Sequence, residues 1–397
     1  MEIMSTQINL EMPGRNKGMD HILVASVFLL TGLGLVTLYS SSYAFAEKFF
    51  GDGFYFISRQ IILGGAGIIL FFLAAVVDLD LLRKFVKPLV LGSIILCVLT
   101  FVPHIGVRKN GAARWIGIGS YTYQPSELVK LVLPLYLAHI FDKKKDDINI
   151  LSRGVIPPAL ITGVFFVLIF YQNNFSTAVF LAFNALFMFF LAGIKFRYFF
   201  SAVFMFIPTA ALLVLKKEHR IRRFLSYIKP EFEPQGASYQ VNSSVLSISS
   251  GGFWGKGLGQ GTRKVSSVPE VHSDFIFSSF AEEAGFLGVI LFCFLFAIFA
   301  ARGYIASMRN EKLFNRLLGC GLVTMIVSQV LVNIAVVAGA LPATGIPLPF
   351  FSAGGSSLAT SLVMAGLVVN VSRYSKRRSH TDGSWSNRTE TSTSGDF

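Results

Sequence analysis

The chain has 397 residues, of which 53% are hydrophobic and only 14% charged, with 40 phenylalanines and a mean hydropathy of +0.61. Soluble domains carry about 25% charged residues, so a soluble globular fold is excluded and a polytopic membrane protein is expected. The net charge of +13 sits mostly in short loops and in the tail, the distribution that the positive-inside rule produces and not the footprint of a nucleic-acid binder.

Residues 1–20 are polar and lack the apolar core and small-residue cleavage site of a signal peptide. The first apolar run, Ile22 to Leu38, is therefore expected to stay as an anchor. About ten apolar segments have the length, or nearly the length, to cross a hydrocarbon core of about 30 Å. They centre near residues 30, 68, 95, 134, 164, 185, 207, 290, 326 and 363. With the N-terminus inside, inner loops carry Arg83, Lys84, Lys87, Lys143, Lys144, Lys145, Arg153, Arg302, Arg309, Lys312 and Arg316, whereas the short outer loops hold Lys48, Arg59, Arg108, Lys109 and Arg114. The expected fold is all-α, with about ten transmembrane helices, both termini cytoplasmic and one long extracytoplasmic loop at 216–273. The expected organisation is a cytoplasmic segment 1–20, a transmembrane domain 21–373 and a disordered cytoplasmic tail 374–397. The long loop is itself basic and asks for an anionic partner. Cys97, Cys293 and Cys320 lie far apart in apolar runs, which argues against a disulfide framework or a metal site.

Three polar constellations interrupt the apolar chain on the expected outer side. The first is Asn110-Gly111-Ala112 with Arg114-Trp115, then Gln124-Pro125-Ser126-Glu127 and Lys130. Glu127 and Lys130 share a helix face and can pair, either as a structural ion pair or as an intramembrane site. Arg114 beside Trp115 also suits an interfacial anchor. The second is Gly251-Gly252 through Gly261, followed by Pro269 to Phe277 with His272 and Asp274, then Glu282-Glu283. Lys256 is followed by Gly257, so this is no Walker A loop, and it fails G-x-G-x-x-G as well. Its backbone N–H groups can still approach an anion, or it is a re-entrant loop of no chemical role. Charge at the edge of hydrocarbon is costly, which makes Asp274 the candidate working carboxylate; its bland reading is a helix N-cap. The third is Thr344-Gly345-Ile346-Pro347-Leu348-Pro349-Phe350, then Gly354-Gly355-Ser356-Ser357. Its prolines preclude a regular helix, and Gln329 and Asn333 on the preceding helix are placed to satisfy its carbonyls. On residues alone, the arrangement suits an anion transporter as well as an enzyme acting on a lipid-linked pyrophosphate.

Taken in order, these motifs resemble the SEDS family, the membrane proteins of cell shape, division and sporulation that polymerise peptidoglycan. The resemblance covers about residues 20–375. Tyr239-Gln240, Gly257-Leu258-Gly259 and Thr344 to Phe350 lean towards the division branch, with the elongation and sporulation branches close. Two departures stand out: Gln172-Asn173-Asn174-Phe175-Ser176 where the family often has Gln-Pro-Asp-x-Gly, and Ala353 where Tyr is common. The resemblance implies an inverting glycosyltransferase that polymerises lipid II, with Asp274 as general base. It implies Arg59, Arg114, Lys130, Lys256 and Arg263 as donors to the pyrophosphate, with Glu127, His272, Glu283 and Ser356 completing the substrate site. No cofactor is required by it; a divalent cation, Mg or Mn, is compatible with the leaving group, but no ligand cluster of metal spacing is visible. Implied partners are a class b penicillin-binding transpeptidase and other membrane proteins of the division machinery, at the septum of a bacterial inner membrane. A lipid II flippase and a non-catalytic scaffold are the competing readings.

Overall fold

A backbone crossing hydrocarbon must satisfy its own polar groups, and long uncharged apolar runs do so as helices. The computed structural model describes residues 18–374 apart from 110, 120, 202, 205–207, 209–220, 222–224, 226, 229–236 and 262–272. The expected segment near residue 207, the tail beyond 374 and much of the loop 216–273 thus lie largely outside the described residues. The helices are α1 (His21–Phe50), α2 (Tyr55–Val76), α3 (Leu79–Lys84), α4 (Val86–Leu99), α5 (Pro125–Lys143), α6 (Ile156–Tyr171) and α7 (Phe175–Leu191). They continue with α8 (Ala237–Ser250), α9 (Ile276–Met308), α10 (Leu313–Val337) and α11 (Gly355–Ser372). Among the described residues, six helices are long and apolar enough to cross a membrane: α1, α2, α6 with the turn before it, α9, α10 and α11. α4 and α7 are shorter apolar helices.

α10 and α11 form the centre, with 67% and 78% of their apolar windows buried against 22% for α9. α2 lies along α11, and small residues set how closely. A Cβ on Gly366 would overlap the Phe71 carbonyl oxygen, and one on Gly67 would press on Leu362 and Ala359.

Both ends of the described chain meet at one end of the bundle. The Asp20 N–H donates to Ser372 Oγ at 3.4 Å. The Asp20 carboxylate accepts from the N–H groups of Ile22 and Leu23, capping α1, and pairs with Arg302 at 2.6 Å. Arg83–Asp142 (2.6 Å) and Lys312–Asp80 (2.7 Å) add further links there. Lys and Arg outnumber acids at this termini-bearing end, as the sequence predicts for the inner side.

The all-α expectation needs correction at 106–123. Strands β1 (Gly106–Lys109), β2 (Ala112–Ile118) and β3 (Tyr121–Tyr123) form an antiparallel sheet in the order β1-β2-β3, with Lys109 opposite Ala112 and Ile116 opposite Tyr123. Gly111 and Gly119 take positive φ (72° and 60°) where the strands turn back, a conformation glycine adopts freely. The loop 216–273 also contains structure that its composition did not announce, since α8 is helical and packs on α9. Gly366→Ala should destabilise the protein by about 1–3 kcal/mol, the usual cost of overpacking, read as a lower thermal-unfolding midpoint in detergent.

Candidate active site at the end opposite the termini

Asp274 lies just ahead of α9 and is half-buried. The N-cap position of α9 is Phe275, with Asp274 one residue earlier. Its backbone is fixed by Asn333 of α10, whose Nδ2 donates to Asp274 O at 2.9 Å and to Ile346 O at 2.8 Å. Gln329, one turn away, donates to Pro347 O at 2.7 Å. These two amides satisfy the proline-rich segment, as the sequence predicts. The same contacts lay that segment against Asp274: a Cβ on Gly345, which has φ 70°, would stand 3.3 Å from Asp274 Oδ2. Only a residue without a side chain leaves the carboxylate that approach.

The glycine-rich loop pairs its backbone with a break in α9. α9 is broken at Gly285 (φ 65°, ψ −168°), which frees backbone groups on both sides of the break. Lys256 and Gly257 donate their N–H groups to the Glu282 and Glu283 carbonyls at 3.0 and 3.1 Å. Phe286 and Leu287 in turn donate to Gly252 O and Phe253 O at 3.0 and 3.2 Å. A Cβ on Gly251, Gly255 or Gly285 would overlap backbone atoms of the opposing segment, so the glycines serve close backbone contact. The N–H groups expected to meet a phosphate are thus partly spent inside the protein: Gly255 N–H goes to Gly251 O and Gly259 N–H to Ser40 Oγ.

The break also turns two acids inward. Glu282 and Glu283 are only 1% and 3% exposed. Glu282 pairs with Lys256 at 2.6 Å and accepts from Ser250 Oγ at 3.3 Å, while Glu283 accepts from Ser40 Oγ of α1 at 2.7 Å. Gly261 stands against both carboxylates. From there the chain runs into 262–272, so Arg263 and His272 lie outside the described residues.

Arg114, on β2, reaches the Asn173 carbonyl oxygen at the α6–α7 turn, and Asn173 Nδ2 returns a hydrogen bond to Gly111 O at 3.0 Å. The guanidinium also lies 6.0 Å from the Trp115 ring centre. The departure Gln172-Asn173-Asn174 is accordingly the mount for the hairpin, with Asn173 at φ 57°. Glu127 and Lys130 pair at 2.8 Å in the first turns of α5 and are almost fully buried. Tyr123 of β3 sits close by; burial pushes its phenol up to about 12, and the charge of Glu127 adds to this. Arg59, half-exposed in the first turn of α2, lies 4.1 Å over the Tyr55 ring. Ser356 is half-buried in the first turn of α11. Gln60 bonds Ser352 O and the Gly354 N–H (3.1 and 3.2 Å), which sets where α11 begins.

The structure therefore joins Asp274, Asn333 and Gly345 in one group. Lys256, Glu282, Glu283 and Ser40 form a second, Arg114 and Asn173 a third, and Glu127, Lys130 and Tyr123 a fourth. All belong to elements that end or start opposite the termini. Ser40 and Tyr123 are not marked by anything local in the sequence, and Asn173 stands out there only as part of a departure from the family's pattern. Among the described residues, no group of three or more His, Cys, Asp or Glu could hold a metal.

Comparison with known proteins places these elements in context. A family model described as "Cell cycle protein" (FTSW_RODA_SPOVE) matches residues 20–377. A protein of Geobacter sp. (strain M18) named "Probable peptidoglycan glycosyltransferase FtsW" is 38% identical over 358 residues, covering 90% of this chain and 98% of the relative. "Stage V sporulation protein E" of Bacillus subtilis (strain 168) is 36% identical over 357 residues, with the same coverage of 90% and 98%. A solved peptidoglycan synthase complex, described as coordinating polymerization and crosslinking, aligns with a TM-score of 0.74 at 30% identity over 90% of this chain and 98% of that one. The rod shape determining protein RodA of Thermus thermophilus aligns with a TM-score of 0.67 at 29% identity, covering 91% and 98%.

Lys130→Met alone should cost about 3–5 kcal/mol, because it strands a buried carboxylate, while Lys130→Met with Glu127→Leu should recover most of that loss. Thermal unfolding reads the stability, and substrate binding by the recovered double variant tells a structural pair from one that also contacts ligand.

Proposed function

The chain belongs to the FtsW/RodA/SpoVE family of cell cycle proteins, and on that premise we propose that it is a peptidoglycan glycosyltransferase that polymerises lipid II into β-1,4 glycan strands. The observation that carries the reading is Asp274: a half-buried carboxylate at the bundle end, with its backbone held by Asn333 and its oxygen facing glycine. The names of the relatives and of the solved neighbours support the reaction class.

The acceptor's 4-hydroxyl is a weak nucleophile at neutral pH, so a base must take its proton as it attacks. Asp274 takes that proton. The hydroxyl oxygen bonds the anomeric carbon of the donor sugar, and the bond from that carbon to the pyrophosphate oxygen breaks. Undecaprenyl pyrophosphate leaves with the electron pair. A single in-line displacement inverts the anomeric centre and gives the β linkage. The leaving group is already anionic and needs charge stabilisation more than a proton, so one carboxylate suffices. Arg59 and Lys256 lie on the α2 and α9 sides of the site, and Arg263 belongs to the segment that follows Gly261. These cations are the donors this reading assigns to the pyrophosphate, together with Arg114, which is tied to the Asn173 carbonyl, and Lys130, which is buried against Glu127 and would have to leave that pair to serve. His272 and Ser356 complete the substrate surface in this reading, while Glu127 and Glu283, each 3% exposed, act from behind it by holding Lys130 and Ser40.

The basic residues at the termini-bearing end favour a cytoplasmic position for that end, with the active site facing outward and about ten spans in all. The solved complex that joins polymerization to crosslinking supports a transpeptidase partner of the class b penicillin-binding type. Division and sporulation relatives match almost equally, at 38% and 36%. The septum is the assignment favoured by the division-like motifs, with other division membrane proteins as neighbours.

Asp274→Ala should abolish glycan strand formation from lipid II by the purified protein in detergent while leaving its elution and thermal midpoint unchanged. Polymer made by a folded Asp274→Ala protein overturns the base assignment. Wild-type protein that makes no polymer alone or with its transpeptidase overturns the enzyme reading.

A further inference from the structure

A second feature lies at the other end of the bundle. A cavity of about 270 Å³ opens between α2, α3, α4, α5 and α11, and every side chain that lines it is aliphatic. Leu73 of α2 is 56% exposed at its rim. Leu82, Leu89, Leu135 and Val363 close its walls. α2 packs on α11 and α1, whereas α4 packs on α5, so the two helices that α3 joins diverge.

The helix α5 carries a stripe at spacing four: Leu131, Leu135, His139, Lys143. Residues so spaced lie one above another on a helix face. The two leucines line the cavity, and the two basic residues continue the stripe towards the termini-bearing end. The stripe is about 18 Å long, about the depth of one leaflet. At its base Arg83 donates to His139 Nδ1 at 3.3 Å, and Lys87 and Lys143 are near enough for their charges to act on His139. Lys84, Lys87 and Lys143 are exposed. Of the acids near this cluster, Asp142 pairs with Arg83, Asp80 with Lys312 and Asp147 with Arg153, and Asp78 caps α3.

The geometry points to a binding site for an anionic phospholipid, with an acyl chain in the groove and its phosphate on Lys87, Lys143 and Arg83. A neutral lipid would fill the groove equally well, but only an anionic headgroup answers the two exposed lysines, Lys87 and Lys143, at its foot. The cytoplasmic leaflet supplies such lipids, and each nearby Lys or Arg favours them several-fold. Arg83 is already tied to Asp142, so Lys87 and Lys143 provide the selectivity. The site is separate from Asp274, and its occupancy is independent of polymerisation.

The test uses the full-length chain reconstituted in nanodiscs with equal phosphatidylglycerol and phosphatidylcholine, then extracted and weighed intact by native mass spectrometry. Wild type should retain phosphatidylglycerol over phosphatidylcholine. Lys87→Gln with Lys143→Gln should lower that preference on the order of ten-fold, with an unchanged thermal midpoint in detergent. Val363→Phe, which fills the groove, should reduce retention of both lipids. Equal retention of the two lipids by wild type, or undiminished preference in the double variant, overturns the proposal. Displacement of the phospholipid by undecaprenyl phosphate also overturns it, since the groove would then hold the substrate's tail. A chain without polymerase activity would still retain the lipid, so this inference and the catalytic reading fail separately.

Discussion

The hydrogen bonds that Asn333 gives to Asp274 O and Ile346 O are the joint on which the site turns. A carbonyl freed from a helix inside a membrane has no water to bond, and leaving it bare costs several kcal/mol. The proline-rich segment frees such carbonyls because proline cannot continue a helix. One amide on the most central pair of helices answers both the segment and the residue before α9. That shared donor couples the position of the carboxylate to the packing of α10.

The same constraint explains the break in α9. Gly285 opens the helix inside an apolar stretch, and the loop 251–257 supplies the hydrogen bonds that are lost. The exchange runs in both directions, like a short piece of sheet between a loop and an unwound helix. It costs the loop its capacity to bind an anion through those N–H groups, and it turns Glu282 and Glu283 towards Lys256 and Ser40. Rigid backbone pairing here holds buried charge in place, which a freely moving loop could not do.

The two ends of the bundle use charge differently. At the termini-bearing end, ion pairs such as Asp20–Arg302 and Asp80–Lys312 tie together segments far apart in sequence, and they are partly exposed. Pairs of that kind contribute little stability each and are screened by salt. At the site end, Glu127–Lys130 is enclosed and Glu282 is buried beneath a partly exposed Lys256, so that removing the lysine in either pair leaves an expensive charge behind. Exposed cations remain beside an aliphatic groove at the first end, an arrangement that suits a lipid headgroup.

Much of this could be read from the sequence because it depends on local pattern. Apolar runs set the helices, Lys and Arg divided the loops, and the spacing of Glu127 and Lys130 placed them on one face. Gln329 and Asn333 were recognisable as partners for a segment whose prolines rule out helix. Asn110-Gly111 carries the usual mark of a hairpin, a signal that the charged and aromatic residues around it overshadow in the sequence, so the sheet emerges only in the structure. What sequence could not supply was the partner of each polar group across long separations. Ser40 meets Glu283 across 243 positions and Arg114 meets Asn173 across 59. The glycines of 251–257 have meaning only against a helix break some thirty residues later. Local pattern determined which segments are buried and which residues are chemically costly there; only the tertiary structure decided what compensates that cost, because a hydrogen bond in a low-dielectric interior is made by proximity in space and leaves no mark in the order of the chain.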